Sequence, residues 1–148
     1  MVRFKNRWIL VEFIPCVSPT NSNNSSILAA PVLNSPNNEI TRWGAVGSSL
    51  NIKYYSPTTN VCIIRVARDP YRIAWAGVTF LTSIDGKGYL PNVVHVSGTI
   101  KQAQMAAIQH NREVIARYRV LARTPAAYQD SYETFLKTST EEIEALQD

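Results

Sequence analysis

The sequence predicts an α+β domain: a ferredoxin-like (RRM-like) antiparallel sheet with helices packed on it, plus a C-terminal helical and acidic extension. Three observations predict it. Two strand-like runs, Gly47 to Tyr55 and Asn60 to Arg68, are joined by the short, Pro-bearing connector Ser56-Pro57-Thr58-Thr59, which favours an antiparallel hairpin. A further strand-like run, Asn92 to Ser97, leads directly into a capped helical pattern. The 148 residues, 45% hydrophobic and 18% charged, suffice for one domain with a real core.

The elements follow in order. Val2 to Ile14 reads as a strand whose first part alternates, with Arg3, Lys5 and Arg7 on one face and Val2, Phe4, Asn6 and Trp8 on the other. Pro15 to Asn38 is loop chemistry, rich in Asn, Ser and Pro, whose side chains compete for local backbone hydrogen bonds. A helix between Ile27 and Trp43 is weak, because Pro31 and Pro36 each remove a backbone donor. The run Val61 to Ala67 is nearly continuous in apolar residues and reads as an inner strand. Asp69-Pro70 then supplies an N-cap and a first-turn proline for a helix carrying Ile73, Ala76, Gly77, Phe80, Leu81 and Ile84 as its apolar repeat, ending near Asp85-Gly86-Lys87-Gly88. Thr99-Ile100-Lys101-Gln102 is a capping-box pattern opening a long helix to about Ala122, ahead of Thr124-Pro125. The expected division is a sandwich domain over 1–124 and an acidic tail over 125–148, partly helical or disordered, with a helical patch around Tyr128, Tyr132, Phe135 and Leu136.

Charge is unevenly placed. Residues 1–122 hold 13 Lys and Arg against 5 Asp and Glu, a net of +8; residues 123–148 hold 2 against 6, a net of −4. A basic body fits a nucleic-acid partner, and it equally fits a chain kept soluble by its charge. No apolar run approaches the roughly 20 residues of a membrane span, and the N-terminus carries no signal-peptide pattern, so an intracellular address is expected. Cys16 and Cys62 belong to no C-x-x-C pair or Cys/His cluster at zinc spacing, so neither a disulfide nor a structural zinc is expected.

On the long helix, at about 100° per residue, Lys101, Arg112, Arg119 and Arg123 fall within about 40° of one another, while Ile100, Ala103, Ala107, Val114, Tyr118 and Leu121 cluster about 130° away. The helix can bury one stripe and hold out a basic one, a shape suited to a phosphate backbone or simply to water. Arg117 falls off the stripe and reads as a surface or salt-bridging residue. The cations of the first strand and of this helix are expected to meet as one polyanion-binding surface. Tyr54 and Tyr55 read as packing residues, since the aromatic signature of an RNA-recognition motif is absent from Val61 to Ala67. His95 and His110 have no metal-ligand spacing and read as core or surface imidazoles. No Gly-x-Ser-x-Gly elbow or phosphate loop is present, and Asp85-Gly86-Lys87-Gly88 reads as a turn.

Met1-Val2-Arg3-Phe4-Lys5-Asn6-Arg7-Trp8, His95-Val96-Ser97-Gly98-Thr99-Ile100 and Ile108-Gln109-His110-Asn111-Arg112 resemble the Pop-five family, the small processing-of-precursor subunit of ribonuclease P and, in eukaryotes, ribonuclease MRP. Tyr54 to Arg68 and Tyr71-Arg72-Ile73-Ala74-Trp75 are similar to that family's hairpin and following helix. The resemblance implies an α/β sandwich that is an accessory subunit without catalytic residues of its own, in a particle whose RNA cleaves precursor tRNA at the 5′ end; in the MRP particle, ribosomal-RNA precursors are cut. It implies no cofactor in the protein, with Mg2+ on the partner RNA. The implied partners are the catalytic non-coding RNA, precursor tRNA either indirectly or near the N-terminus, other subunits of the two particles, and a TIM-barrel-like subunit of about 30 kDa. The implied address is nucleus and nucleolus.

Carried over by motif, Arg3, Lys5 and Arg7 become candidates for RNA contact, with Lys101 and Arg112 in matching positions; Arg119 and Arg123 rest on the helical wheel alone. Gly98 is expected to let the backbone turn from strand to helix and Thr99 to cap the helix. Two other readings fit the same fold: a general RNA-binding module, and a small phosphate-binding enzyme like the acylphosphatases.

Overall fold

The structure, a computed structural model, describes residues 5–16, 50–84, 87–121 and 127–147. Five strands and three helices are present among them: β1 (Asn6–Pro15), β2 (Asn51–Ser56), β3 (Val61–Ala67), α1 (Tyr71–Phe80), β4 (Ser83–Ile84), β5 (Lys87–Ser97), α2 (Ile100–Leu121) and α3 (Ala127–Glu144). The expected weak helix between Ile27 and Trp43, the first residues of the N-terminal strand, and Arg123 lie outside the described residues.

The sheet order is β2-β3-β1-β5-β4, with β1 antiparallel to both β3 and β5. Setting aside the two-residue β4, the last strand, first, third and second lie side by side, which is the ferredoxin-like order. The β2–β3 hairpin turns through Asn60 at φ 54°, a left-handed conformation that Asn tolerates better than most residues. Tyr55 supports that turn by donating its hydroxyl to Asn60 Oδ1 at 3.2 Å.

β1 is buried from Trp8 to Phe13 without interruption because both faces of the sheet are covered. On one face Ile9, Val11 and Phe13 pack with Cys62, Ile64 and Val66 of β3 and with Ala74 and Val78 of α1. On the other, Trp8 and Leu10 pack with Tyr54, Val61 and Ile63, with Ala103 and Ala107 of α2, and with Ile143 of α3. The molecule is therefore an α+β sandwich with α1 on one side and α2 and α3 on the other.

Three local expectations change. The apolar repeat assigned to α1 is out of phase: Ala74 and Val78 face the core, while Ile73 is 62% and Phe80 81% exposed. The helix also stops at Phe80 rather than near Asp85, since Ser83 and Ile84 pair with Gly88 and Lys87 and draw the chain into the sheet. On α2, Leu121 is 78% exposed, because the buried stripe ends at Val114 and Ile115 and the helix end runs past the sheet. The C-terminal segment is one 18-residue helix, anchored by Ile143 in the core and by Gln104, whose Nε2 donates to the carbonyls of Ile143 at 2.9 Å and Leu146 at 3.1 Å. The Ile143 carbonyl is among the orphan acceptors that any helix leaves at its C-terminus, and Leu146 follows just after the helix ends.

Candidate nucleic-acid interface

The cations read from the sequence divide into three sets. Arg3 and Arg123 lie outside the described residues. Lys5 is exposed just before β1, and its carbonyl accepts the Arg68 backbone N–H at 2.9 Å. Arg7 shares the parity of Ile9, Val11 and Phe13 and so emerges on the α1 face, its Cζ 5.8 Å from the centre of the Tyr71 ring. Such a guanidinium over a ring is held without losing its charge.

Arg7 also explains Gly98. A Cβ there would stand 3.2 Å from one Arg7 guanidinium nitrogen, so the glycine provides the room through which the arginine passes. Thr99 then caps α2, its hydroxyl accepting the Gln102 N–H at 3.4 Å while its carbonyl accepts Ala103 N–H at 3.3 Å. The Ser97 hydroxyl donates to the same carbonyl at 3.0 Å. The strand-to-helix junction is thus tied down on both sides of Gly98.

Lys101 follows in the first turn of α2 and is exposed at the same end of the sheet as Arg7. Arg112 and Arg119 are exposed too, but at 1.5 Å per residue they stand about 16 and 27 Å further along the helix. The structure therefore brings Arg7 and Lys101 to one end and does not gather Arg112 and Arg119 with them. Arg7 faces α1, whereas α2 covers the opposite face. The expected single surface becomes a cationic end joined to a cationic helix ridge. Among the ridge residues, only Arg119 has an acidic neighbour among the described residues, Glu133 at 4.0 Å, a solvent-exposed contact of little energy.

Arg117, by contrast, is occupied. Its guanidinium donates at 3.3 Å to both oxygens of Glu12, a carboxylate only 5% exposed on β1. His110 stands 3.0 Å from Glu12 Oε2, so the helix histidine is a satisfied structural partner. Next to it, Asn111 Nδ2 donates to Ser139 Oγ at 2.9 Å, Asn111 Oδ1 accepts from Thr59 Oγ1 at 2.9 Å, and the Tyr54 hydroxyl meets Ser139 Oγ at 2.6 Å. These hydrogen bonds lace the β2–β3 hairpin, α2 and α3 together. His95 buries Nε2 with no partner among the described residues.

Sequence reasoning missed one set of surface residues. Arg72 donates Nε to the Tyr71 hydroxyl at 3.3 Å with its Cζ 5.9 Å from that ring, and Trp75 is 41% exposed beside them. Their spacing, Tyr71-Arg72 then Trp75 one turn on, carried the signal. Reading Ile73 as core hid it. Among the described residues no three His, Cys, Asp or Glu side chains are placed to hold a metal ion.

Fold and surface together define a small α+β protein that, among the described residues, presents Arg7, Arg72, Lys101 and Arg112 without an acidic partner and braces its elements with buried polar groups. Compared with known proteins, residues 7–108 match the model of the Rpp14/Pop5 family. A Schizosaccharomyces pombe protein named Ribonuclease P/MRP protein subunit POP5 is 39% identical over 129 residues, covering 78% of this chain and 91% of that one. Proteins of the same name from Danio rerio and Homo sapiens are each 29% identical, covering 94% and 76% of this chain and 88% and 73% of their own. A chain in a cryo-EM structure of yeast ribonuclease MRP superposes with a TM-score of 0.43 at 13% identity, over 97% of this chain and 95% of that one. The chain belongs to the Rpp14/Pop5 family.

Proposed function

We infer that this chain is a protein subunit of ribonuclease P and ribonuclease MRP, and that it binds and braces the catalytic RNA for 5′-end maturation of precursor tRNA. The observation that carries this reading is family membership over residues 7–108, joined to relatives named as ribonuclease P/MRP subunits in fungi and vertebrates. The general RNA-binding module and the acylphosphatase-like enzyme are not favoured.

The mechanism is electrostatic and architectural. Lys5, Arg7, Lys101, Arg112 and Arg119 neutralise phosphates and release condensed counterions, and Arg3 and Arg123 belong to the same reading. Bond breaking and its Mg2+ stay with the RNA, and the protein contributes no catalytic group. A TIM-barrel-like partner subunit docks on an apolar surface of the sandwich, and exposed Ile73 and Phe80 on α1 support such a contact. Processing of ribosomal-RNA precursors and a nuclear and nucleolar address complete the proposal.

Affinity purification of the tagged full chain from cell extract tests it. Co-recovery of a structured non-coding RNA, several protein subunits and 5′-cleavage of precursor tRNA is the expected result. Recovery of bulk messenger RNA without cleavage overturns it.

A further inference from the structure

We propose that the cleft between α1 and β5 binds a single unpaired nucleotide of an RNA strand, with its base stacked on Trp75 and its phosphate held by Arg7. The proposal rests on the RNA-bound reading above and adds to it a site, a strand state and a stacking residue.

The cleft is an open groove of about 510 Å3, within the range of small-ligand sites, and Arg7, Tyr71, Trp75, Val94, Val96 and Gly98 line it. Two guanidiniums, those of Arg7 and Arg72, lie 5.8 and 5.9 Å from the one Tyr71 ring, and neither meets a carboxylate among the described residues. The contrast with Arg117, neutralised by Glu12, marks this charge as available to an anion. Trp75 adds an exposed indole, and Val94 and Val96 add an apolar wall. Cations beside an aromatic platform on an apolar floor are the chemistry that takes up a phosphate and the face of an unstacked base. A base inside a duplex has both faces covered and cannot use the indole. Gly98 leaves room for the arrangement, since a Cβ there would stand 3.2 Å from an Arg7 guanidinium nitrogen, closer than an ordinary contact. With a valine wall and few fixed donors, the site discriminates strand state rather than base identity.

The test uses the full chain, a labelled hexauridylate, and a blunt-ended two-strand RNA duplex, which has no unpaired nucleotide, as the paired control. Trp75→Ala is expected to weaken hexauridylate binding about tenfold and to leave duplex binding unchanged, whereas Trp75→Phe keeps a stacking face and stays within about twofold of wild type. Arg7→Gln, by removing the cation, lowers the dependence of log affinity on log salt by about 0.7, the share of one single-strand phosphate. Equal hexauridylate binding by wild type and Trp75→Ala overturns the proposal. So does ultraviolet crosslinking of the purified particle that joins the Trp75 peptide only to another protein, while a crosslink to RNA supports it. Failure here leaves the subunit reading intact as long as the tagged chain still recovers the particle RNA; loss of that RNA with the wild-type chain is the separate failure of the subunit reading.

Discussion

Glu12 on β1 and His110 on α2 meet across the sheet face at 3.0 Å, with Arg117 closing the other side of the carboxylate at 3.3 Å. Burial alone would raise the Glu12 carboxyl, but the hydrogen bond and charge of His110, with the Arg117 guanidinium, outweigh it and hold the group below its usual 4.5. A carboxyl whose folded value is depressed stabilises the fold above its unfolded value and ceases to do so as pH falls through the folded one. Urea midpoints are therefore expected to drop as pH is lowered from about 5 toward 3, and Glu12→Gln is expected to flatten that drop. At pH 7, Glu12→Ala is expected to cost about 3 kcal/mol, because it leaves a buried imidazole unpartnered. An unchanged midpoint in Glu12→Ala would show that the three groups do not brace β1 to α2.

The C-terminal helix is expected to be part of the folding unit. Ile143 is fully buried among Trp8, Leu10 and Ala107, so Ile143→Ala should destabilise by about 2–4 kcal/mol in denaturant titration. Asn111→Leu removes both the donor to Ser139 and the acceptor for Thr59, and about 2 kcal/mol is expected from the groups left unpaired. If deleting residues 127–147 leaves the urea midpoint where it was, the helix is an ornament to the fold.

On α1 the expected pattern reverses the one that hydrophobicity alone suggests. Ile73→Ser and Phe80→Ser should each stay within about 0.5 kcal/mol of wild type, while Val78→Ala should cost about 1–2 kcal/mol. Differential denaturation of the three variants checks the phase of the helix directly.

That helix also shows what the sequence made legible and what it did not. The hairpin, the inner strand Val61–Ala67 and the capped start of α2 were readable because alternation, continuous apolar runs and Thr99 are local signals. The phase of α1 was not, since its exposed side carries Ile73 and Phe80 and looks as apolar as its buried one. Docking of α3 was hidden for the opposite reason: Gln104, Asn111 and Ser139 are buried polar residues whose partners lie 28 to 85 positions apart, beyond the reach of any periodicity. For the candidate interface, exposure of Lys101, Arg112 and Arg119 followed from the wheel, but strand parity alone could not say that Arg7 would share a face with Tyr71 and Trp75.

The two thiols are expected to differ sharply in reactivity. Cys62 is buried, and burial pushes its thiol up to about 12, whereas Cys16 is exposed just after β1. A thiol-reactive reagent at pH 8 should therefore label one cysteine in the native chain and two in urea, and mass spectrometry of the peptides should place the native label on Cys16. Native labelling of Cys62 would mean that the core under α1 opens on the timescale of the reagent.

The ridge of α2 makes the last prediction, and it separates charge from structure. Lys101, Arg112 and Arg119 are exposed and carry no buried pairing, so the triple change to Ala should leave the urea midpoint within about 0.5 kcal/mol of wild type. If they neutralise phosphates, the slope of log affinity against log salt for a paired RNA should fall by about 0.9 for each phosphate left without its cation, uniformly across RNA sequences, because a phosphate carries no base identity. Isothermal titration or filter binding at several salt concentrations reads that slope. A triple variant with the wild-type slope would assign the ridge to water and leave Arg7 and its neighbours at the end of the sheet as the phosphate-binding surface. A variant with neither the slope nor the fold of wild type would mean that the cations hold α2 in place, which their exposure argues against.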